Sequence, residues 1–102
     1  MSEENVVWII DNSQGKTIRD VTRFGIPEHI FTDVDIESIN PVEYARDILS
    51  NYRVGDLLCI IGDPKLAFIC AGVIAQNHPG EEVKILQWDS RLFRYFETTI
   101  NF

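Results

Sequence analysis

Two short loops hold the side chains best placed for chemistry in this 102-residue chain. Asp11-Asn12-Ser13 follows one apolar run, and Gly62-Asp63-Pro64 follows another and opens an apolar helical pattern. In an open parallel sheet, ligands bind beyond the carboxyl ends of the strands, where the strand order reverses. Polar loops that lead into helices bring carboxylates, amides and helix N–H donors to that place, which suits an anion or a polar ligand. Asp11, Asn12, Ser13, Gly62 and Asp63 are therefore the candidate ligand-binding residues. The competing reading is structural: Asp63 only caps its helix, and Asp11 is solvated at a strand end.

Ile10 to Thr17, IDNSQGKT, invites comparison with a phosphate-binding loop, because Gly15-Lys16-Thr17 sits between a strand pattern and a helix pattern. Ile10 stands where the first glycine of that motif belongs, so nucleotide hydrolysis is not expected. Gly25 and Gly62 belong to no G-x-G-x-x-G, and the dinucleotide fingerprint is absent. His29 and His78 have no Cys or carboxylate at ligand spacing, so no metal site is expected. Ser13 and Ser90 lack the G-x-S-x-G elbow of a serine nucleophile. Cys59 and Cys70 fall inside apolar runs and read as reduced core residues. No catalytic residue and no cofactor is expected.

The elements that must position these loops centre on residues 57 to 88. Leu57 to Ile61 is apolar without alternation, as in a parallel strand covered on both faces. Asp63 suits an N-cap and Pro64 a first helical position, and the helix runs to about Asn77 before His78-Pro79-Gly80. Leu66, Ala67, Ile69, Cys70, Val73 and Ile74 give it one wide apolar face. Val83 to Trp88 is the next strand. Earlier in the chain, Val6 to Ile10 is a second buried strand. Thr17 to Asp20 has capping-box spacing and predicts a short helix with Ile18, Val21 and Phe24 inward, ending at Gly25. Pro27 to Thr32 reads as an edge strand. After an acidic connection, Asn40-Pro41-Val42-Glu43 starts a helix whose Ala45, Ile48, Leu49 and Tyr52 share a face, ending near Tyr52. Val54-Gly55-Asp56 turns into the central strand. Asp89-Ser90-Arg91 then joins Val83 to Trp88 to Phe93 to Ile100, and so short a link makes those two strands antiparallel.

The pattern β-α-β-α-β-α-β-β predicts a single α/β domain over residues 1–102, with helices on both faces of a mostly parallel five-stranded sheet. Right-handed crossovers favour the order 2-1-3-4-5 with the last strand antiparallel at an edge, a three-layer sheet of flavodoxin-like or minimal Rossmann-like type. That last strand is aromatic. Phe96, Thr98, Ile100 and Phe102 fall on one face, and Phe93 and Tyr95 on the other. With no proline in the run, such an edge is expected to be covered by a partner, and a homodimer through this hairpin is expected, with Phe93, Tyr95, Phe96, Ile100 and Phe102 at the interface.

Composition narrows the partners. Apolar residues at 45% and charged residues at 25% are those of an ordinary globular protein, so neither disorder nor a fibrous class is expected. A net charge of −7 opposes binding to nucleic acid, which needs clustered Lys and Arg against phosphates. The 16 acidic residues are too dispersed for a mimic of DNA. No apolar stretch spans a bilayer, because Asp63, Pro64 and Lys65 interrupt the longest one. The opening MSEEN has no basic region followed by an apolar one, so a cytoplasmic location is expected.

Several segments taken together resemble a family of small, uncharacterised bacteriophage-encoded α/β proteins. They are Asn12, Gly15, Asp20, Arg23 and Phe24-Gly25, the strand with Ile30-Phe31-Thr32, Gly62-Asp63-Pro64 with Ala67, and Leu86-Gln87-Trp88-Asp89 with Arg91 and Tyr95. Lys16 stands where the family pattern has His. The resemblance implies a viral source, and with it the host cytoplasm. The expected function is that of a non-enzymatic viral accessory module that binds a host or viral protein. The alternative is a binder of a small ligand or nucleotide, or an enzyme acting on one, in the crevice between the two loops.

Overall fold

The computed structural model describes residues 4–12 and 20–101. Five strands form one sheet in the order β2-β1-β3-β4-β5, the order that right-handed crossovers favour. They are β1 (Val6–Ile9), β2 (Ile26–His29), β3 (Leu57–Cys59), β4 (Glu82–Asp89) and β5 (Arg94–Asn101). β1 pairs in parallel with β2 and β3, β3 in parallel with β4, and β4 antiparallel with β5. Helix α1 (Pro41–Ile48) leads into β3, and helix α2 (Pro64–Asn77) joins β3 to β4.

Both helices begin as their sequences dictate. The Asn40 side chain accepts from the Val42 and Glu43 N–H groups at 3.0 and 3.2 Å, with Pro41 at the first helical position. The Asp63 carboxylate accepts from Lys65 N–H at 2.9 Å, ahead of α2. α1 is shorter than its apolar stripe suggests: at Leu49 the chain tightens into a 3-10 turn, Leu49–Asn51, before Tyr52 becomes extended. The Ser50 hydroxyl donates to the Asp47 carbonyl at 2.7 Å there, competing with helical continuation.

Strand periodicity sorts the core into two layers. Trp8, Ile10, Leu58 and Val83 face the helices and pack with Ala45, Leu49, Tyr52, Leu66, Cys70, Val73 and Ile74. Val7, Ile9, Leu57, Cys59 and Leu86 face the other way, against Val21, Phe24 and Tyr95. The steps from β2 to β3 and from β3 to β4 move the same way across the sheet, so right-handed crossovers set α1 and α2 on one face. The step from β1 to β2 moves the other way, and the described end of its connection, Val21 and Phe24, packs on the opposite face.

In that connection the sequence suggested a helix. Thr17 and Ile18 lie outside the described residues, and Val21 to Phe24 form a turn closed by Phe24 N–H on the Val21 carbonyl at 2.8 Å. The capping box expected with Thr17 lies outside the described residues, but Asp20 itself is described. It braces the turn, accepting from Thr22 N–H at 2.9 Å and the Thr22 hydroxyl at 2.6 Å, and these bonds hold its carboxyl below the usual range. Val21 and Phe24 still point inward, because a turn satisfies a three-residue spacing as well as a helix does. Gly25 is fixed by crowding: a Cβ there would sit 2.2 Å from the Asn5 carbonyl oxygen.

The two cysteines are free and buried, on opposite faces of the sheet. Burial pushes the Cys59 thiol up to about 11 and the Cys70 thiol up to about 12. A proton held more tightly in the folded than in the unfolded chain stabilises the fold below the ordinary thiol value. That contribution is lost as pH rises through the folded values. The urea midpoint should therefore be level from pH 7 to about 8.5 and fall from about pH 9 upward. Neither thiol should react with a disulfide reagent at pH 8 until denaturant is added. A thiol that reacts in the folded protein would contradict this packing.

Candidate functional site

The loops after β1 and β3 meet, as the strand order requires. Ile10 N–H reaches the Cys59 carbonyl at 3.3 Å, and its own carbonyl accepts from Phe31 N–H at 2.8 Å, so the chain stays clamped up to Asp11. Gly62 adopts φ +92° directly against Asp11: a Cβ on Gly62 would lie 2.6 Å from the Asp11 carbonyl oxygen and 2.8 Å from its Cβ. The carboxylate-bearing residue Asp11 is only 7% exposed, so it is not solvated at a strand end. Asn12 N–H donates to the Thr32 hydroxyl at 3.0 Å, and that hydroxyl also bonds His29 Nδ1 at 2.8 Å. The Asn12 Oδ1 atom is buried without a hydrogen-bond partner among the described residues.

Asp11, Asn12 and Gly62 are thus brought together. Asp63 stands at the start of α2 with its carboxylate on Lys65 N–H, which is the capping role. Ser13 lies outside the described residues, as does the Gln14 to Thr17 part of the segment compared with a phosphate loop. The Asp63 cap and Pro64 remove helix N–H donors that would hold a phosphate. Among the described residues no group of three His, Cys, Asp or Glu side chains could hold a metal ion. Two surface depressions lie elsewhere. One of about 520 Å³ runs beside β2, between Trp8, Glu28 and His29 and the end of α1 at Asp47 and Ile48. One of about 330 Å³ sits at the turn of the β4–β5 hairpin, between Trp88, Asp89, Arg91 and Phe96.

The hairpin is the other candidate. Phe96, Thr98 and Ile100 stand opposite Gln87, Ile85 and Val83, on the helix-bearing face. Phe96 and Ile100 are each 37% exposed, with the Arg94 guanidinium 4.4 Å above the Phe96 ring. On the reverse face Tyr95 is half-buried, edge-on to Trp88 at 5.0 Å and to Phe24 at 5.6 Å. Phe93 does not belong to the strand. The Asp89 carboxylate accepts from Arg91 and Leu92 N–H at 2.8 and 3.3 Å, which builds a longer loop and leaves Phe93 at φ +49°, 70% exposed, its ring 6.2 Å from Trp88. Phe102 lies outside the described residues. Leu92, also exposed, escaped the sequence reading; its signal was an apolar residue in a turn where a polar one is usual.

The two sheet edges differ. Ile26 N–H bonds Asn5 and Ile30 N–H bonds Ile9, so Pro27 and His29 turn their backbone away from β1, and Pro27 offers no donor. β2 is therefore a blunted edge of four residues, whereas β5 is eight residues long without proline.

A protein-family model described as Phage Pam3 gp32-like protein matches residues 9–102. The chain belongs to that family. The matched span takes in both loops, both α-helices and the whole β4–β5 hairpin, so this gp32-like chain is a phage protein, and the family description assigns it no activity. No curated protein and no solved structure matches it. No described helix is long and apolar enough to cross a membrane.

Because Gly62 combines a left-handed backbone with contact against Asp11, Gly62→Ala should lose about 2 kcal/mol of stability in chemical denaturation, from the left-handed strain and the clash together. A variant as stable as the parent would mean that the two loops do not touch.

Proposed function

We propose that this phage protein is a non-enzymatic protein-binding module that works through the β4–β5 hairpin. Its first partner is a second copy of itself, and a host or viral protein is a further one. The observation that carries this reading is the β5 edge, unpaired on its outer side among the described residues, eight residues long with Phe96 and Ile100 exposed on it and Leu92 and Phe93 exposed in the turn before it. An edge of that length and composition exposes unpaired N–H and C=O groups beside apolar surface, and pairing with another chain satisfies both. Membership of a phage family is consistent with an accessory role in the host cytoplasm. The net charge of −7 argues against nucleic acid as the partner. The three-layer, flavodoxin-like or minimal Rossmann-like reading is supported by the strand order and by the Val21–Phe24 connection lying opposite the two helices.

A second reading places a small ligand where the loops after β1 and β3 meet, at Asp11, Asn12, Ser13, Gly62 and Asp63. The buried, unsatisfied Asn12 Oδ1 favours it, since an orphaned acceptor is a place for a donor. A hydrogen-bond-donating ligand would suit that acceptor.

Light scattering at high micromolar concentration should give twice the chain mass for the wild type. Phe96→Lys with Ile100→Lys should give a folded monomer with unchanged far-ultraviolet circular dichroism. A monomeric wild type would contradict self-association, and a thermal shift with cationic or neutral metabolites, undiminished in the double variant, would favour the second reading.

A further inference from the structure

Self-association through β5 admits several registers, and the strand's own sequence distinguishes them. A strand that pairs with its copy about a two-fold axis normal to the sheet runs antiparallel to it. Side chains facing each other across the pair must lie on one face, so the axis passes through a residue and not between two. For Arg94–Asn101, the longest overlaps come with the axis at Glu97, pairing 94 to 100, or at Thr98, pairing 95 to 101.

These two registers differ in chemistry. An axis at Glu97 sets that carboxylate directly against its own copy and opposes Phe96 to Thr98. An axis at Thr98 opposes Phe96 to Ile100 twice and Thr98 to Thr98 on the helix-bearing face. On the reverse face it opposes Glu97 to Thr99 and Tyr95 to Asn101. Aromatic to β-branched pairs and Thr–Thr pairs stabilise a sheet, while like charges directly opposite destabilise it. Phe96-x-Thr98-x-Ile100 has an apolar residue on each side of Thr98, so the strand is complementary to itself. Arg94 and Glu97 are the only charges in β5, which leaves the edge near neutral in a chain of net charge −7.

We infer that two copies join through antiparallel β5 strands with the two-fold axis at Thr98, so that one sheet runs continuously through both. This rests on the self-association proposed above and fixes its geometry. The half-exposed rings of Phe96 then close over Ile100 of the second copy, and the β2 edges, blunted by Pro27, become the two ends of the joint sheet.

Single variants Thr98→Cys, Glu97→Cys and Thr99→Cys test the register by oxidation with copper phenanthroline and non-reducing electrophoresis. The wild type, whose two thiols are buried, serves as the blank. Facing Cβ atoms at the axis fall in disulfide range, so Thr98→Cys should cross-link at least about tenfold faster than the other two. An equimolar mixture of Glu97→Cys and Thr99→Cys should cross-link where each alone does not. Fastest cross-linking of Glu97→Cys would overturn the register. Equal or absent cross-linking of all three, in a protein that scatters light as a dimer, would overturn the register while self-association stands. A monomeric wild type would overturn both.

Discussion

One buried carboxylate ties the sheet together. Asp56, 2% exposed, accepts from Val6 N–H at 2.9 Å, from the Trp8 indole N–H at 3.0 Å and from Arg53 N–H at 3.0 Å. A carboxylate removed from water is strongly unfavourable unless donors replace its hydration, and here three do, two of them from the adjacent strand. Asp56 immediately precedes β3, and Val6 and Trp8 lie on β1, so the contact fixes the register Val7↔Leu57 at the centre of the sheet. A slip of one residue would turn Trp8 to the other face, and a slip of two would carry its indole away from the carboxylate. The same charge, after burial itself, raises the Tyr52 phenol above its ordinary value.

From that centre the sheet becomes less protected outward. β1 and β3 are buried on both faces, and β4 is partly covered. β5 has Tyr95 half-buried as its most enclosed side chain. At the opposite margin, Pro27 removes a donor from a strand of four residues. The asymmetry leaves one margin able to extend the ladder, and that margin carries the aromatic and β-branched side chains that favour cross-strand contacts. Where the loops after β1 and β3 meet, the described residues are closely packed: Asp11 fills the space beside Gly62, and Asp63 is engaged with its helix.

Much of this was legible in the residues. Unbroken apolar runs at Val6 to Ile10 and Leu57 to Ile61 announced buried parallel strands, and Asn40-Pro41 and Asp63-Pro64 announced helix starts. Together with crossover handedness they gave the strand order. Asp56 read as a turn residue, because its role depends on Trp8, 48 positions earlier, and only the folded register brings the two together. The signal available was weaker: a Trp inside an apolar strand needs a partner for its N–H. The turn at Val21 to Phe24, where the sequence suggests the end of a helix, follows from a pattern too short to separate the two. Periodicity puts Phe93 in a strand, because the Asp89 turn that lengthens the loop is a matter of side-chain acceptance from the backbone. The approach of Gly62 to Asp11 was implied by topology, but its tightness was not.

If the Asp56 contact organises the sheet, its removal must be felt globally. Urea unfolding of Asp56→Ala, followed by tryptophan fluorescence, tests this most directly. A loss of about 3 kcal/mol relative to wild type is expected, since two backbone N–H groups and an indole N–H are left without an acceptor. Asp56→Asn, which keeps one acceptor oxygen and turns a donor toward a donor, should fall between the two. An Asp56→Ala protein within about 0.5 kcal/mol of wild type, the range of an ordinary surface substitution, would contradict it.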